Sequence, residues 1–280
     1  MRGGRVGRFS GLANNENLYA AFLFLVGILC DAAAVAFSEN ALYREYGLLH
    51  GKECRISAVS LWVSLFRGTQ PVISTVSMEM TEPFRIPALW ALCMICFFLM
   101  IGLTVEEMRG AAYQRILREG SRAKWAGRIC CKISARVLLW YACLLGSAVV
   151  LAFCLGGTWA PGDRGAFLLM SGVPEELLSP AYLCAALGLS VLAMLAMAFF
   201  QAVICLLVSS MMGIVCSVAA LAASVFWPAP FLPGEYLQFV RMKPEGLLPG
   251  VCTMSLILAG SVFLIFVRMR KMDFRTLFLI

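Results

Sequence analysis

Paired acids and a single histidine are the residues whose types and spacing could support catalysis in this chain. Glu106-Glu107 and Glu175-Glu176 each place two carboxylates side by side, and such pairs can bind a metal ion or act as general acid and base. His50, the only histidine, is close to neither pair in sequence. We therefore interpret both pairs as solvated charges at helix edges or in loops, and we expect no catalytic residue.

The cysteines offer a second candidate chemistry. Cys93-x-x-Cys96 has a spacing found in metal and redox sites, but it lies within an apolar run and has no second pair. Most of the 12 cysteines fall in such runs, where cysteine behaves as a small apolar residue. Only Cys54 lies in segment 38–85, which we place outside the cell, and one thiol cannot close an intrachain bridge. We therefore expect no metal site and no disulfide framework.

Sequence signatures of nucleotide and hydrolase chemistry are absent. No G-x-x-x-x-G-K-[ST] occurs, so the chain cannot hold ATP through a P-loop. No H-E-x-x-H occurs, and the serine signature G-x-S-x-G fails at Ser171 because Leu169 stands at the glycine position. We therefore predict that the chain is not an enzyme and holds no cofactor of its own.

The composition indicates that these residues belong to an all-α integral membrane protein. Of the 280 residues, 61% are hydrophobic and only 14% are charged, whereas soluble domains carry about 25% charged residues. Long uncharged runs separate the charged segments, and a helix of about 20 apolar residues spans a bilayer. Within a single domain, residues 1–280, we predict six transmembrane helices, at 18–37, 86–105, 137–155, 182–208, 212–227 and 248–267.

Lys and Arg residues are unequally divided between the two sides that these spans define. Most of them lie in residues 1–17, in loop 106–136 and in the tail after residue 267. Because basic residues concentrate on the cytoplasmic side, we expect a cell-membrane protein with both termini in the cytoplasm and loop 38–85 outside. The net charge of +7 then reflects topology, and we expect membrane lipid rather than nucleic acid as a partner.

The start of the chain could also be read as a signal peptide. Arg2, Arg5 and Arg8 precede an apolar stretch, and Ala34-Val35-Ala36 resembles a cleavage site. We expect the first helix to be retained. Its removal would leave five helices, with the two chain ends on opposite sides.

Two polar side chains within the predicted spans are candidates for a transport pathway or for helix packing. Asp31 is ionisable, and such residues inside a membrane are functional candidates by default. With no basic residue in another span, we favour a carboxylate in the outer third of its helix that reaches the headgroups. Gln201 could hydrogen-bond across helices, which is more often packing than substrate binding.

Loop 106–136 has the pattern of a helical hairpin below the membrane. Residues 106–118 continue the second span as a helix, and Gly120 ends it, as glycine commonly does. Ser121 can cap a second helix, residues 122–136, that leads into the third span. Glu106 and Arg109, three residues apart, can form an ion pair at the base of the hairpin.

The tip of this hairpin presents Arg122, Lys124 and Trp125. Exposed Trp and Arg side chains are typical anchors of protein–protein contacts, so we expect a basic docking surface with one large exposed aromatic. The alternative is a positive-inside loop whose Trp rests at the membrane interface.

Here the chain resembles a known family. The stretch Ile116-Leu117-Arg118-Glu119-Gly120-Ser121-Arg122-Ala123-Lys124-Trp125 is similar to the loop between the second and third helices of ABC-2-type exporter permeases. Leu232-Pro233-Gly234-Glu235-Tyr236 and Arg241, before the last helix, and Arg270-Lys271-Met272-Asp273, after it, also resemble that family. The layout of the whole chain is similar, although loop 38–85 shares no recognised residues.

The resemblance implies a mechanism. Such bacterial permeases have the six-helix ABC-2, or type V exporter-like, transmembrane domain. They pair with a second copy or a homologous permease, and they dock cytoplasmic ATPase subunits that hold ATP and Mg²⁺. By resemblance, Gly120, Ser121, Arg122, Lys124 and Trp125 form the ATPase-coupling contact, and Glu106 and Arg109 stiffen its base.

The cargo is not specified by the sequence. Apolar spans without charged pathway residues favour a lipid-like, peptide or hydrophobic cargo over an inorganic ion. Another class, a transporter driven by an ion gradient, should show ionisable groups at the midplane, broken helices or inverted repeats. Asp31 is the single feature that fits it. Another kind of multi-pass membrane protein also stays open.

Overall fold

The fold consists of α-helices and short connecting turns. The computed structural model describes residues 9–69, 88–119, 121–173 and 175–271. In this part the helices are α1 Phe9–His50, α2 Ala58–Leu65, α3 Ala88–Glu119, α4 Arg122–Cys154, α5 Arg164–Ser171, α6 Pro180–Leu207, α7 Ser210–Phe226 and α8 Pro244–Lys271. Three 3-10 turns accompany them, at Glu175–Leu178, Pro233–Leu237 and Phe239–Arg241. The prediction of an all-α protein is thus confirmed for the described residues.

Five of these helices, namely α1, α3, α4, α6 and α8, are long and apolar enough to cross a membrane. The predicted fifth span corresponds to α7, which is apolar but has only 17 residues, or about 25 Å of helix rise. That is shorter than the roughly 30 Å hydrocarbon layer. The structure therefore supports a helical membrane protein with five long candidate spans and a sixth, shorter apolar helix.

Helix α6 is the centre of the bundle. It packs against α3, α4, α7 and α8. Its apolar stretch is the most enclosed of the five candidate spans, with 56% of it buried inside the protein. Two polar contacts fix it: the Tyr141 hydroxyl of α4 donates to Ser190 Oγ at 3.1 Å, and Gln201 Nε2 donates to the Phe98 carbonyl of α3 at 2.7 Å. Gln201 thus forms a hydrogen bond between α6 and α3.

The turn between α6 and α7 lies between the predicted spans 182–208 and 212–227, as expected. Helix α6 ends at Leu207, and Ser209 caps α7 by accepting the Met212 backbone N–H at 3.2 Å. Gly213 then faces α6, where a Cβ would collide with the Cys205 sulfur. A tight helical hairpin needs this small residue because the two backbones approach closely.

Helix α1 is longer than its predicted span. It has 42 residues, about 63 Å of rise, and it continues to His50 where a loop from residue 38 was expected. Part of that predicted loop, residues 58–65, also forms helix α2, which begins with a capping box between Ser57 and Ser60. Hydropathy predicts where the apolar stretch ends, not where the helix ends. The helix continues because Ala41, Leu42 and Arg44 are all good helix formers, although Arg44 is charged.

The two ends of the bundle are identified by contacts between sequence-distant elements. At one end, called the hairpin end, the α3–α4 junction, the α6–α7 turn and the C-terminus of α8 lie together. At the opposite end lie the C-terminus of α1, α2, α5 and residues 227–243. There Thr158 pairs with Ile56 and Ala58 through backbone hydrogen bonds of 3.0 and 2.9 Å.

Candidate functional site at the hairpin end

The hairpin follows the predicted pattern where the structure describes it. Ser121 has extended backbone and caps α4, accepting the Lys124 backbone N–H on its hydroxyl at 3.4 Å. Gly120, the predicted break between the helices, lies outside the described residues. The side chains of residues 110–119 are also outside them, so the structural account rests on the base of the hairpin and on the start of α4.

The base of the hairpin is joined to the α6–α7 turn. Glu106 and Arg109 form the predicted ion pair, with 3.8 Å between Oε2 and Nη1. Arg109 also donates to the Cys205 carbonyl of α6 at 3.3 Å, and the Ser210 hydroxyl at the start of α7 donates to Glu106. The pair therefore connects α3 to both neighbouring helices rather than only stiffening its own helix.

A second ion pair ties the two arms of the hairpin together. Lys132 Nζ of α4 lies 2.7 Å from Glu107 Oε2 of α3. Both side chains are partly exposed, so the pair is screened by solvent and contributes modestly to stability. The adjacent acids Glu106 and Glu107 thus have separate structural partners.

Trp125 corrects the prediction of an exposed aromatic at the tip. Its side chain is buried, with 2% exposure, and it begins the inward stripe of α4 that continues through Ile129, Ile133 and Val137. These residues recur every four positions, which is the spacing of one helix face. Trp125 therefore anchors the hairpin to the bundle and is not available as a docking residue.

The exposed face at the start of α4 is basic. Lys124 and Arg128 are both exposed, and because they lie four residues apart they are neighbours on the helix surface. Arg122 is half-buried and donates to the Arg270 carbonyl at 2.9 Å, so it joins α4 to the end of α8. We call Lys124 and Arg128 the basic face of the hairpin.

Asp31 has different surroundings from those expected. Its carboxyl is enclosed between α1 and α3, beside the Cys93 thiol, and the residue is 8% exposed. Atom Oδ1 has no hydrogen-bond partner among the described residues. The stretch of α3 from Cys93 to Glu106 rises about 20 Å, so the carboxyl lies far from the hairpin end, in keeping with the outer third of the span. It packs against α3 beside Cys93, whereas the sequence favoured contact with the headgroups.

Arg241 enters the sequence analysis only as part of the family resemblance, and its role at the opposite end as a buried charge with many partners was missed there. Its side chain is 1% exposed and lies 2.9 Å from Glu235. Its guanidinium also donates to the Thr69 carbonyl at 2.6 Å and to the last turn of α7, at the carbonyls of Ser224 and of Val225, the latter at 2.7 Å. Helix C-termini favour cations because their carbonyls are unpaired.

Segment 233–241 around Arg241 is tied to the rest of the opposite end. Phe239 and Val240 donate their backbone N–H groups to Phe66 and Arg67 at 2.7 and 3.1 Å, and Trp90 Nε1 donates to the Leu237 carbonyl at 3.2 Å. Burial raises the pKa of Glu235, opposed by Arg241. The signal in the sequence was an Arg and a Glu in a short segment between two apolar helices.

The described chain therefore defines an all-α protein with several helices that could span a membrane, together with a polar, basic hairpin at one end. Comparisons of the chain with models of protein families, with curated proteins and with solved structures gave no match. Its function is accordingly argued from its own residues.

Proposed function

We propose that this chain is the permease subunit of an ABC exporter, which forms the membrane pathway and couples to a separate cytoplasmic ATPase. The observation that carries the proposal is the attachment of the α3–α4 hairpin at its base. Through Glu106, Arg109 and Arg122 it contacts α6, α7 and α8 together. A force applied to the hairpin would therefore reach three bundle helices, which is what coupling to an external motor requires.

The sequence supports a separation between this chain, which forms the pathway, and a partner that hydrolyses ATP. The chain has no P-loop, so ATP and Mg²⁺ belong to the partner ATPase, as the resemblance to ABC-2 permeases implies. Lys124 and Arg128 are exposed and offer a basic face to an acidic cleft on that partner. Charge complementarity of this kind governs orientation and the rate of encounter.

The placement in the cell is part of the same proposal. Most Lys and Arg residues lie in residues 1–17, loop 106–136 and the tail, so the hairpin end faces the cytoplasm of a bacterial cell together with both termini. Helix α7 completes six crossings of the cell membrane because α3 and α6 enclose it. A second permease, identical or homologous, completes the pathway.

Association with a cognate ABC ATPase tests the proposal. We expect the two proteins to co-purify in mild detergent, and Lys124→Glu with Arg128→Glu to reduce the recovered ATPase at least about tenfold, a change of roughly 1.4 kcal/mol. Arg44→Glu, an exposed charge reversal at the opposite end, is the matched control and should leave recovery unchanged. Equal recovery from all variants would contradict the coupling surface.

One observation favours a second candidate, a transporter driven by an ion gradient. Asp31 is a buried carboxyl without an ion-pair partner among the described residues, which is a feature of proton-coupled pathways. This candidate requires transport by the chain alone in response to a proton gradient. Transport in proteoliposomes that needs the ATPase and ATP would exclude it.

A further inference from the structure

The surroundings of Asp31 form a defined pocket within the bundle. A cavity of about 240 Å³ lies between α1 and α3. Its floor is formed by the buried residues Ile28, Asp31 and Cys93, and its lining is otherwise apolar. Asp31 lines this space, and its enclosed Oδ1 has no donor among the described residues.

The mouth of this pocket faces away from the protein. Gly27, Cys30, Ala34 and Leu92 line it and are exposed, and three of these four side chains are small or absent. A Cβ placed on Gly27 would meet nothing within 4 Å. Because α1 and α3 are candidate membrane spans, the opening would face lipid, and a ligand would enter from the bilayer.

The charge of the pocket restricts what can occupy it. An isolated carboxylate in an apolar environment is strongly disfavoured unless it is neutralised or paired. Glu39, two turns later on the same helix, has Arg67 near it, whereas Asp31 has no such cation among the described residues. A cationic head group would supply both the neutralising charge and a donor for the carboxyl, whereas a proton would supply the first alone.

We propose that the α1–α3 pocket binds the primary ammonium head of a long-chain amphiphile, with the Asp31 carboxylate as its counter-ion. The ammonium donates to the carboxylate of Asp31, which lines the pocket, and the first carbons of the chain fill the apolar remainder. The cavity is smaller than the range of about 300–1,000 Å³ that encloses a drug-sized ligand, so most of the alkyl chain stays in the lipid. As a site for exported cargo, this inference rests on the proposed function.

Photolabelling of the purified chain tests the site directly. The chain is placed in nanodiscs of zwitterionic phosphatidylcholine and exposed to an alkylamine that carries a diazirine next to the amine. The matched probe is the alkyl alcohol with the same diazirine. We expect the amine to label residues 27–34 and 92–96, as mapped by peptide mass spectrometry, and unlabelled dodecylamine to compete.

Three variants distinguish an ionic binding site from non-specific binding in an apolar pocket. Asp31→Asn should reduce amine labelling at least about tenfold, since a hydrogen bond to a charged group contributes roughly 1.5–3 kcal/mol. Glu39→Gln, a buried acid of the same helix, should retain it. Gly27→Leu, which fills open space at the mouth, should reduce it without changing any charge.

The proposal is overturned if the alcohol labels these residues as strongly as the amine, or if Asp31→Asn labels like the parent chain. If Asp31→Asn does not fold, undiminished labelling of Gly27→Leu overturns it instead. No ATPase is present in this experiment. A negative result therefore removes the ammonium site and leaves the coupling proposal to its own co-purification test.

Discussion

Segment 233–241 and the hairpin use charge in opposite ways. At the opposite end, Arg241 is 1% exposed, and it binds a carboxylate and three carbonyls from three different segments. At the hairpin end, Glu107 and Lys132 are about one third exposed, and Lys124 and Arg128 face outward. The first arrangement holds buried elements together, whereas the second keeps charge at the exposed surface.

This difference separates charges that are costly to disturb from charges that can be rearranged. A buried guanidinium with its donors satisfied costs a great deal to disturb, so segment 233–241 is expected to move little. Exposed ion pairs contribute little and can be rearranged. A membrane protein that must transmit motion would place its rigid junction at one end and its adjustable charges at the other.

Removal of the Arg241 guanidinium should have the largest effect. Arg241→Met leaves Glu235 and the carbonyls of α7 buried without their donor, and loss of one partner of a buried pair costs about 3–5 kcal/mol. We expect a marked loss of thermal stability in detergent, with Arg241→Lys intermediate because it keeps the charge but not the fork. Lys243→Ala, an exposed neighbour, should be neutral. A stable Arg241→Met protein would remove the distinction between the two ends.

Trp125 should prove structural rather than docking. Trp125→Ala empties a site in the bundle, and truncation of a buried Trp costs roughly 3 kcal/mol or more. Trp125→Phe should be tolerated much better, since Nε1 has no hydrogen-bond partner among the described residues. Thermal unfolding measures both. Normal stability of Trp125→Ala, together with lost ATPase binding, would restore the exposed docking role.

The contact between Ser210 and Glu106 should matter more for coupling than for stability. Ser210→Ala removes one hydrogen bond to a partly exposed carboxylate, a loss of about 1 kcal/mol. We expect near-normal folding but a lower ratio of transport to ATP hydrolysis in the reconstituted complex. Ser209→Gly, at the neighbouring cap position, is a control because glycine caps helices almost as well as serine. An unchanged ratio would show that force does not pass through this contact.

The pair of Glu107 and Lys132 should have the smallest effect. Lys132→Met is expected to lower stability by roughly 0.2–1 kcal/mol, and the difference should shrink at high salt because the pair is partly exposed. Unfolding at low and high ionic strength measures it. A large, salt-independent loss would place this pair among the locked charges of the opposite end.

Local features of the hairpin were predictable from the sequence. The cap at Ser121 and the pair Glu106–Arg109 depend on residues only three apart, so spacing alone locates them. The burial of Trp125 was also encoded, because the apolar residues of α4 recur on one helix face. The exposed tip was inferred from residue type, whereas periodicity would have placed Trp125 inside.

Other features depend on tertiary structure that no local pattern contains. The partners of Arg241 come from residues 69, 224 and 225, and no spacing rule connects them. Likewise, the pocket at Asp31 exists because α1 packs on α3 with Cys93 beside the carboxyl. Hydropathy could show that Asp31 lies in an apolar helix, but not whether its carboxyl turns inward or extends toward the headgroups.

The central claim is that the basic face of the hairpin lies in the cytoplasm while the Arg241 end lies outside. Lys124→Cys and Lys52→Cys, made in a chain without native cysteines, place one thiol at each end. A membrane-impermeant maleimide added to intact cells should label Lys52→Cys, and it should label Lys124→Cys only after the membrane is permeabilised. Labelling of Lys124→Cys in intact cells would contradict the account.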